Sequence, residues 1–408
     1  MPDSPAVNRS PAASSTGRGA TAGPVQLLLL LAGSCLSVLG AVLIAPVLPQ
    51  LSRAFAGTPG ADVLVPIVLT APALLIGLTA PFAGVVVDRI DRKRLLLLAM
   101  LAYSVFGTAP LYLDSLGAIL ASRMLVGLCE GAIMTCCTTL IGDYWSGARR
   151  ARYLGLQTLV ATLSATAFLA LGGVLGASGW RTPFWVYAIA APLAIPMALK
   201  LWQPTPHGEP SRHPAKLPWR QLGAPCLVTL FGGVVFYALI VELSFVLTGV
   251  GVTAPGTIGA VSAIMSLATA AGAIAFSRLS GRTPRVLLPA EFGLAAVGLL
   301  LVFATASPVV ITAGAVCTGF GTGMLLPTLL TWAVNRLTFD QRGRGTGLWT
   351  GTLFLGEFAC PLALAAIGTG TGGLQGALAV LGIASAIAGV LTALLLRRNN
   401  HPLNVTEG

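Results

Sequence analysis

The stretch VQLLLLLAGSCLSVLGAVLIAPVLPQ occupies residues 25–50 and carries no charged side chain. A helix needs about 20 mostly apolar residues to cross the hydrocarbon core of a bilayer, and this run is longer. It is also longer than the apolar core of a secretory signal peptide. The stretch is therefore predicted to be a membrane-spanning helix rather than a cleaved leader.

Similar apolar runs follow along the rest of the chain. The twelve runs lie at 25–50, 62–87, 95–113, 115–141, 153–177, 182–202, 222–248, 255–277, 286–306, 308–334, 345–368 and 373–396. Backbone polar groups in lipid must find partners within their own segment, which a helix provides, and the alternating pattern of a barrel strand is missing. The predicted fold class is an all-α membrane protein with twelve transmembrane helices.

Composition excludes a soluble domain of this size. Only 9% of the 408 residues are charged and 55% are hydrophobic, whereas soluble domains carry about 25% charged residues. The net charge of +11 does not indicate nucleic-acid binding, because the basic residues stand in short groups between apolar runs. Those groups are predicted to set the orientation of the chain in the membrane.

Lys and Arg favour the cytoplasmic side of a membrane. With the N-terminus inside, every one of the 24 basic residues except Arg53, Arg123 and Arg181 falls in a cytoplasmic segment. A miscounted helix would invert this pattern in all later loops. The sequence thus predicts a multi-pass protein of a bacterial-type cytoplasmic (inner) membrane, with both termini in the cytoplasm.

A polar interruption at about 203–221 divides the twelve runs into six and six. The predicted organisation is a disordered tail (1–24), an N-terminal bundle (25–203), a linker (204–221), a C-terminal bundle (222–396) and a tail (397–408). A weak repeat supports two halves, because the pattern Arg-x-Arg-x-x-Gly follows both the fourth run, at Arg150, and the tenth run, at Arg342. Paired halves around a central site are typical of alternating-access transporters. A chance gathering of Arg and Gly in cytoplasmic loops is the alternative.

Three motifs resemble those of the major facilitator superfamily. The loop after the second run reads Gly84-Val-Val-Val-Asp88-Arg-Ile-Asp-Arg92-Lys-Arg94, similar to the signature G-x-L-A-D-R-x-G-R-K with Asp91 in place of the second glycine. The fourth run contains Arg123-Met-Leu-Val-Gly127, similar to the R-x-x-x-G motif, and Gly172-Gly173 near the end of the fifth run also fits the family. The resemblance covers nearly all of 25–396. It implies two pseudo-symmetric six-helix bundles and secondary transport.

The first motif is also expected to form ion pairs. Asp88 and Arg92 are spaced i,i+4, and Asp143 at the end of the fourth run is a further partner. The resemblance implies a conformational latch between the halves that holds the outward-facing state. Its predicted residues are Gly84, Asp88, Arg89, Arg92, Lys93 and Asp143. A basic loop that only sets orientation is the alternative, but it does not explain Asp88.

Charges inside a bilayer are costly and therefore mark candidate functional residues. Arg123 and Glu130 share one face of the fourth run, about 10 Å apart along the helix axis. A direct pair between them is not expected, so a neighbouring helix, water or substrate is predicted to join them. We expect Glu130 to carry a proton and Arg123 to tune it, as the resemblance implies for the arginine; a purely structural polar anchor is the alternative.

The other intramembrane acids are Glu242, Glu357 and Glu291 in the seventh, eleventh and ninth runs. Glu242 and Glu357 are candidates for contact with a cationic substrate. Glu291 ranks last, because the ninth run is peripheral in the family and this residue is expected near the cytoplasmic interface.

These observations favour a proton-coupled secondary transporter, most simply an exporter of small amphipathic molecules or metabolites that works as a monomer. Antiporters of the group carry Gly-x-x-x-Gly-Pro-x-x-Gly-Gly in the fifth run, and Ser164–Gly173 lacks its proline, so uptake by symport stays open. ATP drive is unsupported because no G-x-x-x-x-G-K-[ST] occurs. A sensor without transport is a further alternative, and a membrane enzyme is disfavoured because no HExxH or G-x-S-x-G occurs. No cofactor or metal is predicted, and the seven cysteines are interpreted as packing residues.

Overall fold

A computed structural model describes residues 22–203, 217–338, 341–396 and 403, without the side chains of 84–89. Most of the predicted tails and of the linker 204–221 lies outside these residues. Leu403 is an exception, because it is buried and its backbone bonds to Arg282 (3.2 Å) and Asn335 (2.9 Å).

Twelve helices in the described residues are long and apolar enough to cross a membrane, which confirms the predicted count. We number them span 1 to span 12. They are Pro24–Ala54, Ala61–Ala83, Arg92–Leu111, Leu116–Tyr144, Gly147–Gly176, Thr182–Lys200, Trp219–Gly249, Pro255–Leu279, Pro284–Phe303, Pro308–Val334, Arg342–Thr371 and Leu374–Leu395.

Several helices extend beyond their apolar runs. The helix of span 2 continues to Arg89, and spans 5 and 11 begin at Gly147 and Arg342, before the predicted starts at 153 and 345. A helix does not stop where lipid stops, because its backbone bonds are just as favourable in the polar headgroup layer. Hydropathy therefore predicts the membrane-buried part of a helix and underestimates its full length.

Span 1 is broken rather than continuous. Its first segment ends at Val42, a 3-10 turn covers Ala45–Val47, and a second segment covers Leu48–Ala54. Pro46 and Pro49 explain the break, because a proline has no backbone N–H to donate to the preceding turn. The break leaves backbone carbonyl groups in the middle of the molecule for other partners.

The two halves pack by the same plan. An offset of 192 residues separates Arg150 from Arg342, and the same offset relates Gly127 of span 4 to Gly319 of span 10. A Cβ added at Gly127 would lie 2.3 Å from the Pro72 carbonyl of span 2, and one at Gly319 would lie 2.6 Å from the Met265 carbonyl of span 8. Span 4 therefore packs on span 2 as span 10 packs on span 8, which is the expected pseudo-symmetry.

Two helix pairs join the halves. Span 2 packs against span 11, where Gly77 meets the Gly351 backbone, and span 5 packs against span 8, where Gly173 meets the Gly259 backbone. We call the end of the bundle with Arg92, Arg149 and Arg342 the basic end. The contact of Gly173 with Gly259 lies towards the other end, which we call the opposite end.

Candidate functional site

A cavity of about 460 Å³ lies between the halves. Its lining comes from spans 1, 2, 4, 5, 7, 8, 10 and 11, and spans 3, 6, 9 and 12 contribute no described lining residue. At the middle of spans 5 and 8 the hydroxyl of Thr166 donates to that of Ser266 at 2.9 Å. Towards the basic end, Thr158 and Ala273 of the same two spans line the cavity instead. The cavity is thus closed towards the opposite end and extends towards the basic end.

The cavity wall is mostly apolar and aromatic, with two acidic side chains. Glu130 of span 4 and Glu357 of span 11 are the charged residues of the described lining. Phe236, Trp349 and Phe354 supply aromatic surface beside them. The structure thus brings Glu130 and Glu357 to one cavity, whereas Glu242 and Glu291 are not part of its described lining.

Arg123 is fully buried beneath the cavity. Its Nη2 donates to the Gly40 carbonyl of span 1 at 2.7 Å, and its Nε donates to the Val68 carbonyl of span 2 at 3.3 Å. The guanidinium also lies over the Tyr187 ring of span 6, 5.1 Å from the ring centroid. Backbone carbonyls and an aromatic ring thus stabilise this cation, and these contacts include no ion pair with an acidic side chain.

Glu130 is 1% exposed, and neither of its carboxylate oxygens has a hydrogen-bond partner among the described residues. The carboxylate lies against Gly40, where an added Cβ would come within 1.4 Å of Oε1. Gly40 therefore lies between the two charged side chains, bonding Arg123 through its carbonyl and contacting Glu130 through its Cα. Of the three intermediaries expected between Arg123 and Glu130 (a neighbouring helix, water or substrate), the structure shows a neighbouring helix, span 1.

Sequence reasoning does not single out Gly40, because a glycine in an apolar run has many uses. The sequence feature nearest to it is the proline pair Pro46 and Pro49. Two prolines indicate a bend in the helix, but they do not indicate which side chains contact the backbone there. Tyr237 of span 7 has a similar position, since its hydroxyl donates to the next carbonyl of span 1, that of Ala41, at 2.5 Å.

Glu242 and Glu357 belong to the C-terminal half. Both are 5% exposed. Glu357 lines the cavity together with Tyr237 of span 7 and Glu130 of span 4. Tyr237 thus shares the cavity with one acid of each half.

Glu291 lies in the core of the C-terminal half. It is fully buried, and the hydroxyl of Thr328 on span 10 donates to its Oε1 at 2.5 Å. The bond is a contact between two helices of the same half, spans 9 and 10, and Glu291 is not part of the described cavity lining.

Replacing Thr328 with valine is expected to destabilise the protein without changing transport. The substitution leaves the buried Glu291 carboxyl without its donor, which costs about 1–3 kcal/mol. Thermal unfolding in detergent measures the loss. Thr392→Val is the matched control, because the Thr392 hydroxyl is also buried but donates to a carbonyl of its own helix, that of Gly389. Equal losses in both variants, or altered proton coupling in Thr328→Val, would contradict this role.

The described part of the predicted latch lies within the N-terminal half. Arg92 at the start of span 3 forms an ion pair and hydrogen bond with Asp143 at the end of span 4. The Lys93 amide donates to the Gln203 side chain at 3.4 Å. The side chains of Gly84, Asp88 and Arg89 lie outside the described residues. Asp91, the departure from the family signature, caps span 3 by accepting from the Arg94 amide at 2.9 Å.

Comparison with known proteins gives distant relatives. The chain is 28% identical to the class C tetracycline resistance protein of Escherichia coli over 229 residues, 55% of this chain and 56% of that protein. The match thus spans about half the length of that relative. It is 25% identical to the 3-(3-hydroxy-phenyl)propionate transporter of Escherichia coli K12 over 350 residues, 81% of this chain and 82% of that one.

The fold has solved counterparts. A D-xylose–proton symporter superposes with a TM-score of 0.77 at 13% identity, covering 93% of this chain and 98% of the symporter. The model of the Major Facilitator Superfamily matches residues 30–255 and 248–408. With the twelve spans and the paired halves, this match identifies the chain as a member of the Major Facilitator Superfamily.

Proposed function

We propose that this chain exports cationic amphipathic compounds in exchange for protons. The observation that carries the proposal is the cavity wall, in which apolar and aromatic side chains surround the acids Glu130 and Glu357. An apolar surface favours a lipophilic body, and an acid in a low-dielectric wall favours a positive charge. A neutral compound would satisfy only the first of these preferences.

Glu130 is proposed as the proton carrier and Arg123 as the residue that tunes it. Glu130 lines the cavity, and its carboxylate is buried without a hydrogen-bond partner among the described residues. A proton or a bound cation would therefore neutralise a negative charge that no hydrogen bond stabilises. A carboxyl group can hold a proton or face a cation, but the cation loses its attraction when the proton arrives. Competition of this kind exchanges one for the other when the site is exposed alternately to the two sides of the membrane.

Export is supported by the relative named for tetracycline resistance. The name of the hydroxyphenylpropionate transporter gives no direction, and the missing proline in the fifth span weakens the antiporter pattern. Proton-coupled uptake is therefore the second candidate. We further propose a monomer in a bacterial cytoplasmic membrane with both termini inside, so that the cavity in this structure faces the cytoplasm.

The substrate class is tested in inside-out membrane vesicles that hold a proton gradient. A panel of lipophilic quaternary ammonium compounds is added, each paired with an uncharged analogue of the same size. A quaternary ammonium group cannot carry a proton by itself, so any loss of the gradient reports exchange through the protein. We expect the cations, and not their neutral partners, to dissipate the gradient, as read by a pH-sensitive dye.

Vesicles without the protein are the control for leakage. Equal responses to cations and to neutral partners would contradict the charge preference and leave an exporter of amphiphiles. No response to any compound would contradict exchange and favour uptake, tested next with right-side-out vesicles.

A further inference from the structure

The broken helix of span 1 presents two consecutive carbonyl groups to the centre of the molecule. Gly40 and Ala41 lie in the last turn of the segment Pro24–Val42, where a helix leaves carbonyl groups without an internal donor. Pro46 has no amide hydrogen to offer the Val42 carbonyl, so the helix does not continue past this turn. Buried carbonyls need hydrogen-bond donors, so side chains from other helices are required here.

The two donors come from different halves. Arg123 of span 4, in the same half, donates to the Gly40 carbonyl at 2.7 Å. Tyr237 of span 7, in the other half, donates to the Ala41 carbonyl at 2.5 Å. Two consecutive peptide units of span 1 are thus hydrogen-bonded, the first by Arg123 of the N-terminal half and the second by Tyr237 of the C-terminal half.

The position of this bond makes it sensitive to the state of the transporter. Tyr237 is 3% exposed and also lines the cavity. The cavity is closed towards the opposite end, where Gly173 and Gly259 bring spans 5 and 8 together. Opening at that end separates the halves and so must break the bond between Tyr237 and Ala41.

We propose that Tyr237 is a positioning residue that holds span 1 in the state closed towards the opposite end, and so sets where Gly40 lies against Glu130. It acts through the backbone of span 1 and needs no contact with the substrate. The role goes beyond the proposed exchange of cations for protons, because it would operate in an exporter and in an uptake transporter alike.

The test measures conformation directly, in the full-length protein without substrate. Spin labels are introduced as non-canonical amino acids at Ser178, just after span 5, and at Thr253, just before span 8. Both residues are exposed, and both lie at the opposite end of the bundle, one in each half. Pulsed electron resonance then gives the distribution of label distances. In Tyr237→Phe, loss of one hydrogen bond is expected to raise the ratio of long to short distances about five-fold.

Tyr103→Phe is the matched control. The Tyr103 hydroxyl also donates to a carbonyl of span 1, that of Leu36, at 2.7 Å, but from span 3 of the same half. Its loss is expected to leave the distance distribution as in the wild type. An unchanged distribution in Tyr237→Phe, or an equal shift in Tyr103→Phe, would overturn the proposal. Because no substrate is added, the outcome is independent of the cation-exchange hypothesis.

Discussion

Replacing Glu130 with glutamine is expected to abolish proton-coupled exchange while the protein still folds and inserts. Glutamine keeps the shape of the side chain against Gly40 but holds no titratable proton. It also removes a carboxyl group that is buried without a hydrogen-bond partner among the described residues, so no loss of stability is expected. In inside-out vesicles, the substrate-induced loss of the proton gradient should fall to the level of vesicles without the protein.

Glu357→Gln is the matched comparison, since Glu357 is the other acid of the described lining. We expect this variant to bind cations more weakly, seen as a higher KM, and to keep proton coupling. If Glu130→Gln still exchanges protons, Glu130 is structural, and Glu357 or Glu242 becomes the candidate proton carrier.

The second large effect is expected from Gly173→Val. A Cβ at residue 173 would lie 2.6 Å from the Pro255 carbonyl oxygen and 2.8 Å from the Gly259 Cα. Backbone atoms cannot rotate away as a side chain can, so spans 5 and 8 must separate. We expect the variant to be trapped open towards the opposite end, with transport reduced by about 10-fold or more.

Gly155→Ala tests whether this loss reflects the helix contact or glycine replacement in general. Gly155 also lies on span 5, but an added Cβ there meets nothing within 4 Å. This control should transport at the wild-type rate. Normal transport in Gly173→Val would contradict the need for close approach of spans 5 and 8.

Hydropathy predicted the spans because lipid imposes the same requirement on each of them. The positions of Arg123 and Glu130 in an apolar run were likewise sufficient to predict charged residues in the membrane. The partners of those residues were not predictable. A periodic pattern gives the face of a helix on which Arg123 lies, but not that the facing group is the Gly40 carbonyl.

The surroundings of the other three intramembrane acids were not predictable either. Glu242, Glu291 and Glu357 are alike in sequence, each a lone carboxyl in an apolar run. What separates them is the packing of helices that are distant in the chain. Thr328 gives Glu291 a partner, whereas Glu357 reaches the cavity because span 11 packs between spans 2 and 7. Only tertiary structure distinguishes a packing acid from a cavity acid.

The central claim, exchange of protons for an organic cation, is tested most directly with purified protein in liposomes. The lumen is made acidic relative to the outside, and accumulation of a fluorescent quaternary ammonium compound is recorded. The account predicts accumulation that disappears when an ionophore collapses the gradient and when Glu130 is replaced by glutamine. Accumulation that requires an alkaline lumen instead would contradict exchange and show symport, and accumulation without any gradient would contradict proton coupling altogether.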